Sequence, residues 1–318
     1  MSKNQKGKTR KAANEPRFRK GSVEHLLEKG SLDDLRLAKR ITEEHLKYQW
    51  NLYSEIARQR STIQDQIKLA LTQTCISYEF KSWQRAVKYK YGLHPLSTRG
   101  SLNFIGGRFN TGSGVNPEVP SFPGLYIAKD KDTALQEHLG QQKTKRNSKL
   151  SSRELALTNP ISETIVSISG KLDKIFDLTK ADNMIPFVQL IKNFKLSKDL
   201  VTFAHSLKIP KPRILKTAPE VFKTLLLPEW RLLPSLYDVP SNSQIFGYLV
   251  YSAGVEGILY SSKFTGSPCL VLYPKNFAET DSFISLDDEV PHQKVPIRLD
   301  ASNWRVSEMD AKEIFGVN

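Results

Sequence analysis

Between Arg99 and Gly140 the chain concentrates side chains that could do chemistry. Gly106-Gly107-Arg108-Phe109-Asn110 places an arginine directly after two glycines. Glycines allow positive φ and close approach of backbone to a ligand. A guanidinium offers a planar fork that matches phosphate oxygens. The same five residues also suit an ordinary hairpin turn with an exposed arginine. Leu125-Tyr126-Ile127-Ala128 follows and reads as a short strand. Tyr126 either packs in the core with its hydroxyl satisfied or offers a ring face to a flat aromatic ligand. Asp132-Thr133-Ala134-Leu135-Gln136-Glu137 then opens a helix. Thr133, Ala134 and Glu137 lie near one another on it, because offsets of three and four share a face. If that face points inward, Glu137 is a carboxylate at the rim of the core; otherwise it is a solvated helical glutamate, the usual state of an acid.

Further along, Ser243-Gln244-Ile245-Phe246-Gly247 opens a helix, and Gly257-Ile258-Leu259-Tyr260-Ser261-Ser262 leads to an apolar strand at Leu270. Two adjacent serines at a strand end serve as turn residues or lend a hydroxyl to a pocket. Taken in order, these pieces resemble the RES domain, a family named for an arginine, a glutamate and a serine. The likeness rests on Gly-Gly-Arg-aromatic-Asn, Leu-Tyr-x-Ala, Thr-Ala-x-x-Glu, Gln244-x-x-Gly247, Gly257-Ile258-x-Tyr260-x-Ser262 and Asp177-Leu178-Thr179. It covers roughly Lys81 to Tyr273.

The resemblance implies an ADP-ribosyltransferase-like α+β fold, with a split β-sheet core and surrounding helices. It implies an NAD-consuming enzyme that cleaves the nicotinamide–ribose bond, a glycohydrolase or phosphorylase. In many members this is the toxin of a toxin–antitoxin pair. Carried over by position, Arg108, Glu137 and Ser262 are the catalytic set. Arg85, Arg108, Tyr126, Ser262 and Ser261 hold NAD. Arg99 rivals Arg85 as the family's early arginine. Ser261 rivals Ser262, because it stands where the family often has proline. NAD is the substrate and no cofactor is expected. The implied partners are NAD, inorganic phosphate as an acceptor, and a cognate antitoxin with a helix-turn-helix.

The chemistry of such a cleavage suits these residue types. Loss of nicotinamide leaves an oxocarbenium-like sugar, against which glycosidases also set carboxylates. Glu137 would take that part, the arginines would hold the pyrophosphate, and Tyr126 would carry the nicotinamide ring. Water as acceptor makes the enzyme a hydrolase, phosphate makes it a phosphorylase, and a protein side chain makes it a mono-ADP-ribosyltransferase. A third reading is a basic nucleic-acid-binding protein with a degenerate enzyme fold.

That third reading draws on charge. The 318 residues carry 47 Lys and Arg against 33 Asp and Glu, a formal +14. Much of the excess lies in residues 1–21, where eight basic residues face the single acid Glu15. Such a segment buries too little apolar surface to order itself. It reads as a disordered basic tail, able to touch nucleic acid weakly. No dinucleotide-binding glycine fingerprint and no Gly-x-x-x-x-Gly-Lys-Ser/Thr phosphate loop occurs, which argues against a dehydrogenase or an NTPase. The six histidines and two cysteines have no metal spacing. No apolar run reaches the length of a membrane span, and a cytoplasmic location is expected.

The elements that must position the site fall into zones. Residues 22–80 read as a helical N-terminal extension. Ser31 starts a capping box, and neither Pro nor Gly occurs from 31 to 91. Leu37, Ile41, Tyr48, Leu52, Ile56, Ile63, Ile67 and Leu71 form an amphipathic seam. It belongs to one helix of about ten turns or to two in series, packed on its own domain or on a partner. Residues 81–275 form the catalytic domain, with strands at 124–128, 164–168 and 268–273 and helices at 132–139, 185–194 and 243–253. The proline-rich stretch 207–240 reads as an irregular loop. Residues 276–318 read as a C-terminal extension.

Overall fold

The computed structural model describes residues 31–139, 163–290 and 292–316, without the side chains of 31–39 and 41. The basic tail and the side chain of Ser31 therefore lie outside the described residues. The chain divides into two compact units, 1–44 and 45–318. Of the first, the described part is helical, the start of α1 (Ser31–Thr62).

The long seam belongs to two helices in series. The first ends at Thr62, Ile63 leaves helical geometry at ψ 26°, and α2 (Gln64–Thr72) resumes. Within the larger unit the seam faces its own domain. Tyr48 and Leu52 pack with Leu200, Phe203 and Ala204, while Ile67 and Leu71 enter the main core.

The chain then runs through β1 (Cys75–Lys88), a small ribbon of β2 (Gly106–Gly107) and β3 (Asn110–Thr111), β4 (Leu125–Ala128) and α3 (Lys131–Leu139). After the undescribed stretch come β5 (Glu163–Asp177), α4 (Ile185–Ile191), α5 (Lys198–Ser206), α6 (Ala218–Leu225), α7 (Leu232–Tyr237) and α8 (Asn242–Ser252). Strands β6 (Gly257–Ser261), β7 (Pro268–Leu272), β8 (Phe283–Leu286) and β9 (Arg298–Leu299) precede α9 (Ala311–Phe315).

The fold is α+β, with a seven-stranded sheet in the order β1-β4-β7-β6-β5-β8-β9. Strand β1 also pairs with β5, from Cys75↔Phe176 to Lys88↔Glu163, so five strands close a hydrogen-bonded ring. The pleat sorts residues between two cores. Leu125, Ile127, Leu259, Leu270 and Leu272 face one cluster, with Trp83 and Ile168. Their alternates Tyr126, Ala128, Ile258, Tyr260, Cys269 and Val271 face the other, which the helices cover.

Three expectations change. The helical reading of 22–80 stops at Thr72, since β1 begins at Cys75. There Phe80, Trp83 and Val87 are buried along a strand, and pairing with β5 outweighs helix propensity. The 207–240 stretch is largely helical, containing α6, a 3₁₀ turn at Pro228–Arg231 and α7. Thr217 and Glu220 form a reciprocal capping box with a proline in the first turn, a start signal that the prolines had obscured. The 276–318 stretch is no appendage: β8 pairs with β5 and β9 with β8. Ser307 O also accepts hydrogen bonds from Thr98 N–H and Oγ1 at 2.7 and 3.0 Å.

Candidate active site

Arg108 and Phe109 form the two-residue tip of the β2–β3 ribbon, between the Gly107↔Asn110 pair. The hairpin reading is right, and the arginine is 6% exposed rather than free. Four side chains clamp the tip. Tyr126 Oη accepts from Phe109 N–H at 3.0 Å and donates to Asn110 Oδ1 at 2.8 Å. Asn110 Oδ1 also accepts from Gly107 N–H at 3.0 Å. Gln244 Nε2 reaches Ile105 O, Gly107 O and Asn110 O at 2.7, 3.1 and 3.2 Å. Tyr273 Oη donates to Phe109 O at 2.9 Å.

Two glycines are required by this clamp. A Cβ at Gly107 would lie 2.4 Å from Tyr126 Oη, and one at Gly247 would lie 2.1 Å from Phe109 O. The Gln244-x-x-Gly247 spacing thus puts one donor and one gap, a turn apart on α8, against the same hairpin.

Glu137 comes from α3, whose first turn is pinned by Asp130. That carboxylate accepts from Thr133 N–H at 2.8 Å, Thr133 Oγ1 at 2.9 Å and Ser267 Oγ at 2.6 Å. Thr133 Oγ1 also meets Thr265 Oγ1 at 2.8 Å, tying α3 to the turn after β6. In that turn Ser262 Oγ donates to Glu137 Oε1 at 2.6 Å. Ser262 is 3% exposed, whereas Ser261 pairs with Pro268 at the end of the β6–β7 ladder. Of the two serines, Ser262 is the one that meets the glutamate.

A cavity of ≈ 380 Å³ joins these parts, with Arg85, Arg108, Tyr126, Glu137, Trp230 and Arg231 in its lining. Its size falls in the usual range for small-molecule sites. For Tyr126 the structure shows the first alternative, a hydroxyl committed to the hairpin, and the residue also lines the cavity. Burial raises the pKa of that phenol. Tyr260, on the same face of the sheet, also lines the cavity and packs edge-on to Phe109 at 5.0 Å.

The early arginines separate cleanly. Arg99 binds both Glu313 oxygens through Nη1, at 2.9 and 2.8 Å, and takes no part in the cavity lining. Arg85 does line it, but donates to three carbonyls: Pro95 O at 2.8 Å, Tyr126 O at 3.1 Å and Ser97 O at 2.7 Å. Burial lowers its pKa to about 10, so it stays charged near neutrality. Arg85 is therefore first a brace between β1, β4 and the 95–97 turn, and only then a neighbour of the cavity.

Sequence reasoning missed Trp230 and Arg231. The Arg231 guanidinium lies 4.5 Å from the Trp230 ring centroid and that of Arg108 5.9 Å from it. Arg108 Nη1 further donates to Leu227 O at 2.7 Å, binding the hairpin tip to this turn. Burial lowers the Arg231 pKa, with Arg108 adding to the effect and Glu137 opposing it. The signal available was the Trp230-Arg231 pair just after a capped amphipathic helix. Asp177, by contrast, holds its own turn through Thr179 and stays outside the cavity lining.

Among the described residues no group of three or more His, Cys, Asp or Glu is placed to hold a metal ion. None of the described helices is long and apolar enough to cross a membrane.

An α+β core that sets a serine-held carboxylate and two arginines around one aromatic cavity defines a class. The RES domain model matches residues 82–297, more than half of the chain, and the protein belongs to that family. No curated protein matches the chain. Among solved structures, the M. tuberculosis MbcT-MbcA toxin-antitoxin complex aligns with a TM-score of 0.37 and 12% identity. That alignment covers 76% of this chain and 95% of that one.

Proposed function

We propose that the protein cleaves the nicotinamide–ribose bond of NAD, and that it does so as the toxin of a toxin–antitoxin pair. The observation that carries the cleavage reading is the 2.6 Å bond from Ser262 Oγ to Glu137 Oε1 at a cavity bearing Arg108, Arg231, Trp230 and Tyr126. The bond fixes one carboxylate oxygen and leaves Oε2 to face positive charge developing on the ribose. Arg108 and Arg231 carry paired positive charge suited to a pyrophosphate. The Tyr126 and Trp230 rings suit flat heterocycles. Nicotinamide departs as a neutral amine, so one oriented carboxylate and good positioning suffice. The toxin role and a cognate antitoxin rest on family membership.

Purified protein incubated with NAD, with and without phosphate, should release nicotinamide. Glu137→Gln should not. Full turnover by that variant, or none by the wild type in either buffer, would sink the reading. The same incubations assign the acceptor, through ADP-ribose, its 1-phosphate, or label transferred to lysate protein. Transfer alone would favour the mono-ADP-ribosyltransferase reading.

A further inference from the structure

His138 adjoins Glu137 in sequence and shares its side of α3. Ala134, Glu137 and His138 stand at i, i+3 and i+4 and all line the cavity. His138 therefore lines the same cavity as the carboxylate, one position further along the helix. It belongs to none of the RES motifs, and a histidine beside a motif is ordinarily a surface or hydrogen-bonding residue. Here it has a specific partner. His138 Nε2 lies 3.0 Å from Glu163 Oε2, at the first residue of β5. The Glu163 side chain is 3% exposed, against 26% for that of His138. The approach is not aligned as a hydrogen bond, and among the described residues Glu163 Oε2 has no hydrogen-bond partner. A buried carboxylate thus lies against Nε2 of a histidine that lines the cavity.

Among the described residues, the charges around the pair come from three elements. Lys88 and Arg85 approach from β1, Glu163 from β5 and Glu137 from α3 itself. Burial, helped by Arg85 and Lys88, holds the imidazole down at about 4, so it is neutral near pH 7. Burial raises Glu163. A neutral imidazole backed by a carboxylate is the arrangement of a general base.

We propose that His138 is the base that deprotonates the acceptor water after Glu137 has supported departure of nicotinamide. The inference rests on the NAD-cleaving reading and names the residue that completes it. In the step, the C1′–N bond breaks and its electron pair leaves with neutral nicotinamide. The water oxygen bonds to C1′, and its proton passes to the imidazole and then to solvent. The products are ADP-ribose, nicotinamide and one proton. Glu163 positions the ring and supports the imidazolium that forms.

The test separates cleavage from water capture. The full chain in phosphate-free buffer is assayed for NAD hydrolysis and for exchange of labelled nicotinamide into NAD. Exchange needs cleavage and its reversal but no deprotonated water. His138→Ala is expected to lower hydrolysis by about a hundredfold, the scale of a lost general base, while exchange stays near the wild-type rate. Glu163→Gln should shift the ratio in the same direction by a smaller factor. If His138→Ala does not fold, His138→Gln replaces it, since that side chain can still donate to Glu163. Hydrolysis that is unchanged, or that falls in step with exchange, overturns the proposal. Wild-type protein that neither hydrolyses nor exchanges overturns the NAD reading beneath it.

Discussion

Ser262 Oγ donates to Glu137 Oε1 at 2.6 Å while accepting from Phe264 N–H at 3.1 Å and Thr265 N–H at 3.4 Å. With two donors aimed at it, the hydroxyl has its proton directed at the carboxylate. Ser262 is thereby a positioning residue for Glu137. Ser262→Ala should lower the rate of nicotinamide release by about a hundredfold, the scale of an ångström misplacement. Ser261→Ala should stay near wild type. Melting curves on both variants separate this from unfolding. Equal activity in the two would refute the assignment.

Trp230 lies beneath Arg231 and beside Arg108. Trp230→Ala removes a ring surface from the cavity and a cation–π partner from both guanidiniums. Such contacts are worth about 1–2 kcal/mol where partly desolvated. The KM for NAD should rise about tenfold. An unchanged KM in steady-state assays would remove Trp230 from the site.

The hairpin that carries Arg108 fits only because two glycines leave room for it. Gly107→Ala and Gly247→Ala force contacts of 2.4 and 2.1 Å on Tyr126 Oη and Phe109 O. Each should cost about 1–3 kcal/mol, the usual price of overpacking. Thermal unfolding measures that loss directly. Activity at a temperature where both variants remain folded should still be reduced, since Arg108 moves with the hairpin.

His138 also links stability to pH. Burial holds its folded pKa at about 4, below the ordinary imidazole value of about 6.5. Between those values the unfolded chain binds a proton that the folded chain does not. Stability therefore falls as the pH drops from about 6.5 towards 4. His94, held down by burial as well, acts in the same direction. His138→Gln should flatten that acid limb of the melting-temperature profile and leave the profile above pH 7 parallel to wild type. A limb as steep as wild type would contradict the burial argument.

The site was legible where chemistry and spacing coincide. Gly106 to Asn110, Tyr126 and Glu137 are close in sequence, and each motif sits on one local element. The two serines could not be separated that way, because one residue of strand register decides which hydroxyl reaches α3. Arg85 and Arg99 were equally ambiguous for a similar reason. One donates to carbonyls at 95, 97 and 126, and the other meets Glu313, more than two hundred positions away. Trp230 and Arg231 were hidden because prolines at 210, 212, 219, 228 and 234 resemble loop punctuation. Yet Pro219 and Pro228 stand in first turns, where the missing N–H costs nothing. The start of β1 at Cys75 was masked by an unbroken run of helix-compatible residues. Only the ladder to β5, in which Cys75 pairs with Phe176 about a hundred positions downstream, determines it.

Arg85 has one more consequence. Its fork is fastened to three carbonyls, so its charge is a fixed part of the wall rather than a hand that closes on a ligand. A built-in charge of that kind acts at a distance. It biases the approach of anions before any contact forms, and added salt dims it. The speed with which an anionic ligand finds this cavity should thus respond to ionic strength even where its final grip does not.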